Sequence, residues 1–311
     1  MKSAVVTGAN GFIGKALLDQ LCRNEIDTFA VIHNAEAEKE IYEKFPQVHC
    51  ICCNMEEIQY LPNLVNTSAD IFFHLAWDGS SGEKRKDYKR QLRNVQWTVD
   101  AVRAAAELGC RRFVGAGSLV EYDVDSYIPM DGSAPEPAHF YATAKLSAHY
   151  MSKIECNRYP GLVHCWAILS HIYGIGDHTS NFVNFAAKLM LTGRPADFTE
   201  GKQLTDFVSV DDTARGLVCI GRQGKENTSY YVGSNHPRLL KEYIQIIRDT
   251  IDPKIGLNLG AVPFHGVIHP AETFDCSKLL EDTEYEPRES FEEGMKKVIP
   301  WIRKQILLGN L

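Results

Sequence analysis

Apolar residues along this chain follow two rhythms that take turns. Short unbroken apolar runs stand at Ala4-Val5-Val6, TFAVIH (28–33), VHCIC (48–52), IFFHLA (71–76), RRFVGAG (111–117) and LVHCWAIL (162–169). Runs of this length predict strands buried on both faces of a parallel sheet. Between them the apolar spacing changes to three and four. Ala16, Leu17, Leu18 and Leu21 share one helical face after the first run. The charged EAEKEIYEKF follows the second run, a long helix is predicted from about Glu83 to Leu108, and another from about Tyr141 to Arg158. Strands alternating with helices predict an α/β fold, a doubly wound parallel sheet with helices on both faces.

Beyond about Gly174 the rhythm changes. Helical stretches (SNFVNFAAKLMLTG, DDTARGLVCIG, LLKEYIQIIRDTI, FEEGMKKVIPWIRKQILL) enclose the strand-like TDFVSV and SYYVGS and the loop-rich AVPFHGVIHP. The pattern predicts a dinucleotide-binding domain over 1–173 and a smaller substrate-binding part over 174–311, interleaved with the last strands of the sheet. A length of 311 residues accommodates both.

Gly8, Gly11 and Gly14 stand between the first strand and the first helix. Glycine lets the backbone take positive φ and come close to a ligand. The free N–H groups of a helix start, with the helix dipole, suit a pyrophosphate. The position in a strand–turn–helix makes this a dinucleotide-binding turn. A second constellation lies downstream. YATAK sets Tyr141 and Lys145 four apart, on one helical face. An ammonium near a phenol favours phenolate, and a tyrosine so tuned can give or take a proton at a carbonyl or alcohol oxygen. Ser118 follows the GAG strand end, where ligands bind in such sheets. Its hydroxyl could hydrogen-bond the reacting oxygen.

Taken together, TGANGFIG (7–14), HLA (74–76), Asn94, GAGSLVEYD (115–123), YATAK (141–145) and TDFVSVDDTA (205–214) resemble the short-chain dehydrogenase/reductases. The likeness is to their extended, nucleotide-sugar-modifying branch, the NAD-dependent epimerase/dehydratases, and it covers essentially the whole chain. The resemblance implies a Rossmann fold, with Tyr141 as catalytic acid/base, Lys145 holding the cofactor ribose and tuning Tyr141, and Ser118 positioning the substrate oxygen. It implies cofactor contacts at Gly8, Asn10, Gly11, Phe12, Ile13 and Gly14, at Leu75, Ala76 and Trp77, at Asn54, and near His171. Asn94 would support a proton relay or a structural water. Trp77 stands where cofactor and substrate meet and could stack on a sugar, and Asn181 matches an asparagine that touches the substrate phosphate. Thr205 stands where the branch usually carries a pyrophosphate-gripping arginine, with Lys202, Arg194 and Arg238 as substitutes. A homodimer through the long fourth helix and the catalytic helix is implied as well.

The second strand ends at His33 and Asn34, where an aspartate or glutamate usually holds the adenosine ribose. No carboxylate there repels a 2′-phosphate, so NADP(H) is favoured over NAD(H). Leu119 and Val120 occupy the positions of the Asp-Glu pair that performs elimination in the branch's dehydratases. Neither side chain exchanges a proton. The pattern Gly117-Ser118-x-x-Glu121-Tyr122 resembles the branch's 4-ketoreductases, which implies reduction of a keto-sugar, a nucleotide-linked 4-keto-6-deoxysugar. An NAD-dependent nucleotide-sugar 4-epimerase is the alternative within enzymes, and a non-catalytic dinucleotide sensor the alternative outside them.

Composition narrows the remaining choices. A net charge of −7 with no Lys/Arg-rich block predicts no nucleic-acid partner. No apolar stretch approaches a membrane span and no leader-like segment precedes the first strand, which predicts a cytoplasmic protein. Nine cysteines at irregular spacing, with Cys50, Cys52 and Cys53 lacking a second ligand pair, predict packed thiols and no metal.

Overall fold

The computed structural model describes residues 1–126 and 135–311. The six predicted strands form as β1 (Ser3–Thr7), β2 (Asp27–Ile32), β3 (His49–Cys52), β4 (Ile71–His74), β5 (Arg112–Ala116) and β6 (Val163–Leu169). Among the described residues they join Thr228–Val232 in one seven-stranded sheet, ordered Thr228–Val232, β6, β5, β4, β1, β2, β3. Every neighbouring pair in it is parallel. The order reverses between β1 and β4, so the crevice beyond their carboxyl ends is the place where a doubly wound sheet binds its ligand.

The helices of the first half are α1 (Phe12–Arg23), α2 (Ala35–Lys44), α3 (Leu61–Val65), α4 (Tyr88–Glu107) and α5 (His139–Cys156). Leu17, Leu18 and Leu21 of α1 are fully buried. A core of Val5, Phe72 and Phe113 from the strands packs with Ala101, Val102 and Ala105 of α4. The long helix expected from Glu83 starts later. Gly82–Lys86 is a turn of 3₁₀ helix, and Asp87, with extended backbone, caps α4 by accepting from the N–H groups of Lys89 (3.1 Å) and Arg90 (3.2 Å). A carboxylate is a better helix cap than an interior helical residue, which sets the break there.

The chain divides into two compact units. One gathers Met1–Leu169, Thr213–Val232 and Ser277–Glu286, the other Ser170–Asp212, Gly233–Cys276 and Pro287–Leu311. The second unit is built on helices Phe182–Leu191, Leu240–Ile251 and Phe291–Leu307, which bury Tyr173, Phe207, Tyr243 and Phe291 among them. The expected TDFVSV strand is split in two. Leu204–Thr205 pairs with Arg238–Leu239 and Phe207–Ser209 with His171–Tyr173. Between them the fully buried Asp206 carboxylate accepts from the Ser234 N–H (2.9 Å) and hydroxyl, and this inward turn interrupts the pairing. No helix among the described residues is long and apolar enough to cross a membrane.

Phe113 is fully buried and stacks between Phe72, His74 and His164. Phe113→Ala is expected to cost about 3–5 kcal/mol, by lost burial plus the cavity left behind. Urea unfolding followed by circular dichroism reads this as a lower midpoint at unchanged slope.

Candidate functional site

The glycine turn is compact because three backbones meet there. Gly8 has φ +68°, and a Cβ on it would lie 2.8 Å from the Ala76 nitrogen at the end of β4. A Cβ on Gly14 would lie 2.1 Å from the Gly8 oxygen. Thr7 fixes the same junction, its Oγ1 2.9 Å from His74 Nδ1 and accepting from the Ala76 N–H at 3.3 Å. The turn delivers the chain to α1, whose N-cap, Gly11, contributes no side-chain hydrogen bond and whose first turn holds no carboxylate. Gly11 is exposed. A bare helix start without a competing acid fits the pyrophosphate of a dinucleotide.

Ser118, Tyr141 and Lys145 come together in the first unit. Tyr141 lies in the first turn of α5, buried, and hydrogen-bonds Ser118. Burial raises its phenol above the usual range, while the Ser118 hydrogen bond and the Arg85 guanidinium act the other way. Lys145 is also buried; its ammonium donates to the Ala116 carbonyl at 2.8 Å and sits 3.7 Å over the Trp77 ring. Burial pulls it down to about 7, against a smaller opposing pull from Glu121. Trp77 meets Tyr141 edge to face at 5.9 Å and donates its indole N–H to Gln91 at 2.9 Å.

Beneath this group lies the buried Glu121, which the sequence offered as part of the Gly117-Ser118-x-x-Glu121-Tyr122 pattern and not as the centre of a hydrogen-bonded cluster. The Glu121 carboxylate accepts from the Ser118 backbone N–H (2.8 Å) and from Trp166 Nε1 (3.1 Å). His149 Nδ1 stands 3.1 Å from its second oxygen, and the His149 ring stacks flat on Trp166 at 4.8 Å. His149 Nε2 in turn meets Ser229 Oγ at 3.0 Å. Gly115 and Gly117 are required by this packing: a Cβ on either would lie within 2.2 Å of the Trp166 indole. The cues in the sequence were the Gly117-Ser118-x-x-Glu121-Tyr122 pattern and the two glycines of the GAG strand end.

The model of the NAD dependent epimerase/dehydratase family matches residues 4–233. The chain belongs to that family. It is an NAD(P)-dependent enzyme of the short-chain dehydrogenase/reductase type. It is similar to CDP-abequose synthase of Salmonella muenchen, 24% identical over 96% of this chain and 97% of that one. In fold it is similar to UDP-glucose 4-epimerase of Thermotoga maritima, solved with UDP-glucose (TM-score 0.79, 20% identity, 98% and 99% coverage). It is likewise similar to WbmF of Bordetella bronchiseptica, solved with NADH (TM-score 0.79, 17% identity, 99% and 93% coverage).

The other predicted residues of this epimerase/dehydratase chain have diverse surroundings. Asn10, Phe12 and Ile13 are half-buried in the glycine turn, as are Leu75, Ala76 and Trp77 after β4. His33 and Asn34 are exposed at the end of β2, and the Asn34 side chain caps α2 by accepting from the Ala37 N–H at 2.8 Å. Asn54 is exposed after β3. Asn94 is buried with its amide fully engaged: it accepts from the Asp78 N–H (2.8 Å) and donates to the Asp78 (2.8 Å) and Arg90 (3.1 Å) carbonyls. It pins the loop after β4 to α4. In the second unit, Asn181 caps the Phe182–Leu191 helix and His171 packs on Phe207. Arg238 pairs with Glu292 and Lys202 with Glu200. No metal-holding cluster of His, Cys, Asp and Glu occurs among the described residues.

Lys145 supplies a pH test. Its folded value of about 7 lies below the ordinary 10.5, so the unfolded chain binds more protons between those limits and stability rises with pH across that window. Lys145→Met removes this dependence. The stability of the variant relative to wild type is expected to fall as pH goes from 7 to 10, and urea melts at pH 7, 8.5 and 10 measure it. A constant difference contradicts the buried, depressed ammonium.

Proposed function

We propose that this enzyme reduces a keto-sugar carried on a nucleotide, a 4-keto-6-deoxysugar nucleotide, with NADPH as the favoured reductant and NADH the alternative. The observation that carries the reading is the Ser118–Tyr141 hydrogen bond beside the buried Lys145, with Leu119 and Val120 next to it offering no exchangeable proton. Bound nicotinamide would supply hydride to the keto carbon. Tyr141 then gives its phenol proton to the alkoxide oxygen, and the Ser118 hydroxyl holds that oxygen in line. Lys145 would hold the cofactor ribose, while Trp77 and Asn181 would contact substrate. The glycine turn with Asn10, Phe12 and Ile13, the Leu75–Trp77 stretch, His33, Asn34, Asn54, Asn94 and His171 complete the proposed cofactor contacts. The full-length likeness to CDP-abequose synthase supports a nucleotide-sugar substrate, and the absence of a carboxylate at His33 and Asn34 supports NADPH.

A second reading, a 4-epimerase with retained NAD, is favoured by the likeness in fold to UDP-glucose 4-epimerase. Cofactor binding and turnover separate the two. The reductase oxidises NADPH, read at its absorbance, when given a 4-keto-6-deoxysugar nucleotide. Tyr141→Phe is expected to lower kcat by roughly 10²–10⁴-fold, the span typical of a lost general acid, with the cofactor Kd unchanged. NAD that purifies with the protein, and C4 epimers interconverted with no added cofactor, would decide for the epimerase.

We also infer a cytoplasmic homodimer, joined through α4 and α5. These helices expose Tyr88, Leu92, Tyr150, Met151 and Ile154, with Leu92 62% and Ile154 66% accessible. Apolar exposure concentrated on two packed helices suits a second copy of the chain. Ile154→Asp is expected to halve the mass seen in sedimentation equilibrium.

A further inference from the structure

The 3₁₀ turn Gly82–Lys86 brings Arg85 onto the face of Tyr141, with the guanidinium carbon 4.4 Å from the ring centroid. Arg85 is partly buried, and its Nε is buried without a hydrogen-bond partner among the described residues. Its neighbour Lys86 is tied to Glu83, whereas Arg85 has the phenol ring beneath it. Lys145 is less well placed for the same ring. Its ammonium is 6.0 Å from the Tyr141 centroid, and it is committed to the Ala116 carbonyl and the Trp77 face.

We propose that Arg85 is a positioning residue for catalysis, whose guanidinium, stacked on Tyr141, stabilises the phenolate that Tyr141 becomes when it gives up its proton. This rests on the reading of Tyr141 as proton donor. Among the described residues, three charged groups face Tyr141: Arg85 from the 3₁₀ turn, Lys145 from its own helix, and Glu121 from the turn after β5. Arg85 favours the phenolate and Glu121 opposes it. A guanidinium is attracted to an aromatic face even when the ring is neutral, and more strongly once negative charge spreads into the ring. It also keeps its charge at every working pH. Burial, by contrast, pulls the Lys145 ammonium toward its neutral form. Arg85 thus sets a permanent positive charge on the face of the proton donor.

The test reads Tyr141 directly and needs no substrate. Position 141 of the full chain is replaced by 2,3,5-trifluorotyrosine, whose phenol ionises well below that of tyrosine, and its titration is followed by fluorine NMR. Arg85→Met is expected to raise the midpoint by about one unit, the lower end of the effect of an opposite charge at this range. Arg85→Lys should restore at least half of the shift. A second measurement keeps the natural residue: ζ-¹³C-tyrosine labelling, with the Tyr141 signal assigned by its loss in Tyr141→Phe, should move in the same direction. An unchanged midpoint in Arg85→Met overturns the proposal. So does a change confined to KM with the midpoint fixed, which would make Arg85 a substrate contact only. Failure of the reductase reading is distinct: it shows as no keto-sugar turnover by wild type, with the titration difference intact.

Discussion

An ammonium taken out of water has to be given other partners, and much of the first unit is arranged around that need. Lys145 has lost its hydration shell and takes in exchange the Ala116 carbonyl, the Trp77 face and the nearby charge of Glu121. Each of these is held by something else. Trp77 is tied to Gln91, which also donates to the Gly79 and Lys84 carbonyls. Asn94 ties down Asp78, and Thr98 Oγ1 lies 3.3 Å from His74. Gln91, Asn94 and Thr98 form a stripe three and four residues apart along α4, buried although polar. The helix thereby serves as a rack for the loop after β4, and the Lys145 ammonium finds a fixed surface.

The parts of this arrangement legible in the sequence were the local ones. The six strands, the glycine turn and the Tyr141–Lys145 spacing each span a few residues, and chain periodicity governs them. What escaped was built from contacts distant along the chain. Glu121, His149, Trp166 and Ser229 come from a turn, a helix and two strands, so no window of sequence contains them together. The broken helix at Asp87 and the split strand at Asp206 were missed for a related reason. In both places a carboxylate prefers backbone N–H groups to the regular element that the apolar rhythm suggests. Asn34 and Asn181 were read as ligand contacts, and each is also a helix cap, a task that short amides perform at element boundaries throughout proteins.

Low identity over nearly full length, 24% to the synthase and 20% to the epimerase, fits a scaffold whose constraints are few and severe. A Cβ at Gly8 or Gly14 would run into backbone, and one at Gly115 or Gly117 into an indole. Those positions are tightly restricted, whereas exposed charges such as Lys202 or Glu200 meet no comparable obstacle.

The sheet is completed out of order. Thr228–Val232 pairs with β6, yet 58 residues separate the two strands, and most of them belong to the other unit. While the chain is being made, the outer edge of β6, with its VHCWAIL run, therefore stands open until residue 232 has left the ribosome. An apolar edge of that kind is a template for any other extended chain. A chain cut short between those two strands would leave that edge unpaired and prone to associate with other extended chains.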